Sequence, residues 1–200
     1  MGSQAVTDAQ LNGLETERTF LRRLTPDDAH ALYRSTGDPA VMRYWYPGPD
    51  PDVAHAAERI AEIDEHWRAH GFGDWGVVSR SDSQIVGFAG LHHIADMDEV
   101  NIGYVLERHR WRQGVGSEIV PLILTFAFDQ LRLAEVVAVV DPSNTASIRL
   151  ACKCGLALRK RFVWMERQRL AYGISLHEWE ATRAGGSHLT SESSRPAREV

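Results

Sequence analysis

Cysteine is scarce in this 200-residue chain, where Cys152 and Cys154 are the only two. They stand two apart in a stretch that reads as helix, and side chains at i and i+2 leave a helix on different faces, so neither a disulfide nor a metal pair fits them. Both read as small packing residues of a reducing compartment. Long apolar runs are missing as well. None approaches the roughly 18 residues of a membrane span, and the polar opening Met1-Gly2-Ser3-Gln4 has no apolar signal core. No membrane partner and a cytoplasmic location are therefore expected. Nor is there an excess of positive charge: 22 Lys and Arg against 27 Asp and Glu leave a net charge of −5, which gives no general attraction to nucleic acid. His92-His93 has no Cys or carboxylate at ligand spacing, so no metal is expected there.

What is present suits one domain with a sizeable core. Residues 1–14 are polar and unpatterned and read as a flexible leader. Residues 15–183 carry the periodic segments of a single α/β domain. From Ala184 the composition turns to Gly, Ser, Thr, Pro and charge, so residues 184–200 read as a flexible tail. Within the domain, Thr25-Pro26-Asp27-Asp28 is a helix start with a cap residue, Pro at the first position and acids in the first turn. Ala56, Ile60, Ile63 and Trp67 space out an amphipathic helix from Asp52, ended by Gly71. Trp75 to Ser79 and Gln84 to Leu91 read as a hairpin. Glu135 to Val140 is apolar almost throughout, as in a strand buried on both faces. Ala157 to Glu166 and Arg169 to Glu180 read as two closing strands.

At the centre stands Trp111-Arg112-Gln113-Gly114-Val115-Gly116-Ser117-Glu118, between a strand-like run and a long apolar helix. Two spaced glycines most often mark an ordinary tight turn. Here they precede a helix whose first N–H groups are unpaired and face outward with the positive end of the dipole behind them, a setting that suits a pyrophosphate. Arg112 adds a cation. Pro121 is expected to kink the second turn of that helix.

Three further groups are candidates for chemistry. Glu99 and Asn101 share one face of the strand before the turn, because strand side chains alternate. Tyr44, Trp45 and Tyr46 precede a proline-rich loop and either line an acceptor pocket or plug the core beneath it. His92 and His93 read first as surface histidines at a strand end, with proton acceptance as the alternative. Asn144 is placed to cap a helix with Ser147 in its first turn.

The string Gly103-Tyr104-Val105-Leu106, then Trp111-Arg112-Gln113-Gly114-Val115-Gly116, then Asp141-Pro142-Ser143-Asn144-Thr145-Ala146-Ser147, resembles the GCN5-related N-acetyltransferase (GNAT) superfamily. In particular it resembles the branch of ribosomal-protein-alanine acetyltransferase type. The likeness extends from the stretch at Leu21 to Lys153-Cys154-Gly155-Leu156. It implies an α/β domain with a mixed, mainly antiparallel central sheet flanked by helices, and acetyl-CoA as the acyl donor.

In that family the glycine turn holds the coenzyme, which implicates Trp111, Arg112, Gln113, Gly114, Val115, Gly116 and Ser117. A backbone N–H of Val105 or Leu106 would hold the thioester carbonyl, Asn144 would bond the pantetheine arm, and Ser147 would protonate the leaving thiolate. The branch has Glu where this chain has Asn101, which cannot act as a base, so Glu99 through water or a histidine is the alternative. The acceptor pocket is expected at Tyr44, Trp45, Tyr46 and His92. The expected reaction is direct acetyl transfer to a primary amine, of a small molecule first and of a protein N-terminus or lysine second. A non-catalytic acyl-CoA sensor is the third reading, and a homodimer is compatible with all three.

Overall fold

The computed structural model describes residues 13–187. Of the expected 1–14 leader, residues 1–12 lie outside the described residues and Leu14 stands in a strand; of the expected 184–200 tail, residues 188–200 lie outside and 184–187 continue the last helix. The elements are β1 (Leu14–Glu15), β2 (Thr19–Arg22), α1 (Ala29–Thr36), α2 (Val53–His70), β3 (Asp74–Ser79), β4 (Ile85–Ile94) and β5 (Glu99–Leu106). They continue with α3 (Val115–Thr125), β6 (Glu135–Val140), α4 (Thr145–Lys153), β7 (Ala157–Trp164), β8 (Arg167–Ser175) and α5 (Leu176–Ser187). The eight strands form one sheet in the order β1-β2-β3-β4-β5-β6-β8-β7. Every pairing is antiparallel except β5 with β6. The expected mixed, mainly antiparallel α/β domain is the one observed.

Local signals account for several boundaries. Asp52 accepts the His55 N–H at 3.0 Å at the start of α2, and Gly71 ends it in the left-handed region at φ 73°. Ala56, Ile60, Ile63 and Trp67 of α2 are all buried, as their spacing predicts. At the centre Trp75 is fully buried, with edge contacts to Trp67 at 5.0 Å and Phe126 at 5.2 Å that lock α2, β3 and the turn after α3 together. Helix α3 carries Pro121 in its interior and ends at Thr125, and a wide π turn follows at Phe126–Gln130.

Three expectations are corrected. The last strand ends at Ser175, not Glu180, because Ser175 and Glu178 close a capping box: the Glu178 carboxylate accepts from the Ser175 N–H and hydroxyl, both at 2.8 Å, and α5 starts there. Strand β4 continues to Ile94 and takes His92 and His93 into the sheet. Cys152 is exposed and does not pack, while Cys154 is half-buried, its thiol pushed up to about 11 by burial.

Candidate active site

The site begins where the sheet splits. Strands β5 and β6 share a single registered pair, Asn101 with Val137, and no ladder continues beyond it. The Glu107 N–H donates to the Val86 carbonyl at 2.8 Å. Strand groups alternate, so the N–H groups of Val105 and Gly103 also point to β4, and those of Tyr104 and Leu106 point to the side that β6 has left.

Asn101 holds the split open. Its Oδ1 accepts the Val139 N–H at 2.8 Å, standing in for a ladder bond, and its Nδ2 faces His92 Nε2 at 3.0 Å. Because Oδ1 is committed as acceptor, Nδ2 must donate, which leaves Nε2 unprotonated and the imidazole proton on Nδ1. His92 is therefore neutral, and burial lowers its pKa to about 4. Trp45 packs over it with ring centroids 6.3 Å apart, and also against Phe88 at 5.3 Å. Gly103 leaves room for this packing: a Cβ there would stand 3.0 Å from Trp45 and 3.2 Å from His92. His92 is half-buried beneath Trp45, with its Nε2 lone pair engaged by Asn101 and its Nδ1 without a partner among the described residues, so it is neither a freely exposed histidine nor one with a free lone pair.

The glycine turn bares the first N–H groups of α3. Arg112 and Gly114 have φ of 60° and 85°, which fold the chain tightly before α3. The first helical bond runs from the Glu118 N–H to the Gly114 carbonyl at 3.2 Å, so the N–H groups of Val115, Gly116 and Ser117 precede the ladder. Side chains at either glycine would intrude, since a Cβ on Gly114 would lie 2.8 Å from Arg18 and one on Gly116 would lie 2.9 Å from Leu150. Arg18 ties the turn down through the Gln113 carbonyl and Glu118.

A cavity of about 580 Å³ joins this turn to the split and to the loop after α1. Of the sequence-predicted residues, Trp111, Arg112, Gly114, Val115, Gly116 and Ser117 line its cradle end. Val105, Leu106, Asn144 and Ser147 line its middle, and Asn101, Tyr44 and Trp45 its far end. Four predicted residues lie outside it. Gln113 turns its amide to the His109 carbonyl. Tyr46 is exposed to solvent. His92 is covered by Trp45. Glu99 pairs with Lys160 of β7 at 2.7 Å. Asn144 caps α4 through the Ser147 N–H at 3.1 Å, so its capping role and its place in the cavity hold together.

Sequence reasoning missed Tyr104, Arg149 and Lys153, which all line the cavity. Arg149 and Lys153 are four apart on α4, a spacing that shares one helix face and was open to reading. The Tyr104 hydroxyl lies 3.3 Å from Ser147 Oγ across 43 positions of sequence, a contact no local pattern announces. Among the described lining residues the cations Arg110, Arg112, Arg149 and Lys153 outnumber the one carboxylate, Asp141, which Arg169 holds at 2.8 Å.

The split parallel pair, the bared helix N-terminus and the cationic cavity meet in one place, and the comparisons give the family. The chain belongs to the acetyltransferase (GNAT) family, whose domain model matches residues 18–157. It is an acyltransferase. The uncharacterized N-acetyltransferase YoaA of Bacillus subtilis (strain 168) is 30% identical over 143 residues, covering 71% of this chain and 81% of that one. A Vibrio cholerae protein described as a ribosomal-protein-serine acetyltransferase superposes with a TM-score of 0.67 at 21% identity, over 81% of this chain and 96% of that one. The aminoglycoside acetyltransferase AAC(6')-Ib, in complex with coenzyme A, superposes with a TM-score of 0.68 at 16% identity, over 82% of this chain and 99% of that one. No helix among the described residues is long and apolar enough to cross a membrane.

Proposed function

We propose that the chain transfers acetyl from acetyl-CoA to a primary amine of a small molecule held against Tyr44 and Trp45. The continuous cavity from the glycine turn through the sheet split to these rings carries the reading. The fit to coenzyme A rests on the bared N–H groups of α3, the two glycines that keep the backbone open there, and the cations Arg112, Arg149 and Lys153. When bound, acetyl-CoA supplies an activated thioester. Of the two backbone donors expected from the sequence, Val105 directs its N–H into the β4 ladder, so Leu106 is the one free to hold the thioester carbonyl. The Ser147 hydroxyl stands ready to donate to the departing sulfur.

No described side chain lining the cavity is placed to take the proton of the amine. Asn101 cannot, the His92 lone pair is occupied, Glu99 lies outside, and Asp141 is bound to Arg169. The amine therefore binds neutral and gives its proton to water, so the acceptor sets its own pH dependence. kcat/KM should rise with pH up to the pKa of the amine and shift when the amine is exchanged for a more acidic one. A fixed inflection near pH 6.5 with every acceptor would contradict this.

A protein N-terminus is the second reading, supported by the motif likeness to the ribosomal-protein-alanine branch and by the fold shared with the Vibrio cholerae protein. Strand β7 is basic in sequence, and its Arg159 and Lys160 are paired to Glu135, Glu178 and Glu99, so it offers no open acidic groove for basic peptides. Thiol release from acetyl-CoA, measured with a panel of small amines and with peptides bearing free N-termini, separates the readings. Turnover with small amines alone is expected. Turnover with peptides alone would move the assignment to the second reading.

A further inference from the structure

Ser147 alone is an awkward proton donor. Giving its proton to a thiolate would leave an alkoxide, a far stronger base than the thiolate it relieved. A phenol behind the serine lessens the difficulty, because a tyrosine hydroxyl, even one raised by burial as that of Tyr104 is, remains a far stronger acid than a serine hydroxyl. Such a phenol is present. The Tyr104 hydroxyl donates to Ser147 Oγ at 3.3 Å, both residues line the cavity, and Ser147 is itself fixed by the bond from its N–H to Asn144 Oδ1. Tyr104 belongs to β5, two residues before Leu106, and its ring lies close to Gly116, where a Cβ would come within 3.8 Å.

We propose that Tyr104 is a positioning residue that turns the Ser147 O–H towards the coenzyme sulfur and replaces its proton as the thiol leaves. The inference rests on the function proposed above. In the step, the amine nitrogen forms a bond to the acetyl carbon and the carbon–sulfur bond breaks. Sulfur takes the Ser147 proton, Ser147 takes the Tyr104 proton, and Tyr104 recovers one from water, which has received the proton released by the amine. The sum is amine plus acetyl thioester giving amide plus thiol. Burial raises the Tyr104 pKa, so the phenol enters the step protonated. The neighbouring Cys154 thiol, at about 11, stays neutral beside it.

The test titrates the thiol of bound coenzyme A by its ultraviolet thiolate absorbance, with the S-ethyl coenzyme A complex as the blank for tyrosine. It needs no acceptor. In the wild type the bound thiol should titrate about one unit below free coenzyme A, because two hydroxyls in series stabilise the thiolate. Ser147→Ala should abolish that shift and Tyr104→Phe at least half of it. The double variant should match Ser147→Ala, since the two act as one chain. Calorimetric Kd for coenzyme A should stay within about threefold throughout, while Tyr104→Phe slows thiol release by about tenfold or more at unchanged KM. A Tyr104→Phe titration identical to the wild type, or losses that add in the double variant, would overturn the relay while leaving the acetyltransferase reading intact. Failure of the wild type to bind coenzyme A would sink both.

Discussion

At the residue scale, Asn101 uses both ends of one amide, accepting from Val139 and donating to His92. Asn101→Ala leaves a backbone N–H and an imidazole nitrogen buried without partners, at about 1–3 kcal/mol each. Urea unfolding should show a loss of about 2–5 kcal/mol, and a loss under 1 kcal/mol would mean that water replaces the amide. Asn101→Asp keeps the acceptor for Val139 but removes the donor to Nε2, so His92 should take up a proton against the new carboxylate. Its pKa should climb from about 4 past 6.5 in an NMR titration. From the sequence, Asn101 could be seen only as the absence of a base. Its role needs Val139, 38 positions away, and Trp45 folded over His92 from a separate loop. For the same reason His92 was misread: a histidine late in a strand looks exposed until the loop that covers it is in place.

At the scale of elements, the elements whose signal is local were legible. The α2 periodicity and its Gly71 stop, the pairing of β3 with β4 as a hairpin, and the apolar β6 stand as read. The capping box Ser175-Leu176-His177-Glu178 was equally local and was overridden by the strand pattern running into it. The glycine turn was legible as a turn before a helix, but the different demands on its two glycines were not. Gly114 has φ 85°, which costs a side-chain-bearing residue about 1–2 kcal/mol. A Cβ on Gly116 meets the far end of the Leu150 side chain, which can move, and the Tyr104 ring at an ordinary 3.8 Å. Gly114→Ala should therefore lower the melting temperature more than Gly116→Ala, and the reverse order in calorimetric melts would contradict this reading of the turn.

At the scale of the whole molecule, two buried groups tilt stability in opposite directions with pH. Asp74 is wholly buried, its Oδ1 has no partner, and burial raises its pKa from 3.8 to about 7. Its folded form stays protonated while the unfolded chain ionises, so its contribution is full below pH 3.8 and is lost as pH rises to about 7. His92 falls from 6.5 to about 4, so its contribution is full above pH 6.5 and is lost as pH falls towards 4. Between pH 4 and 6.5 the two slopes offset each other at about 1.4 kcal/mol per unit. Asp74→Asn removes one of them: relative to the wild type, the variant should gain about 3 kcal/mol between pH 5 and pH 8 in urea unfolding. An unchanged difference between the two pH values would show that Asp74 ionises freely in the fold. That the glycine turn, the split sheet and the cations form one coenzyme site is checked by calorimetry of acetyl-CoA binding to the wild type and to Gly114→Glu. Binding by the wild type that is abolished in the variant, where a carboxylate stands against the phosphates on a backbone it strains, is the predicted result, and no binding by the wild type, or equal binding by both, would contradict it.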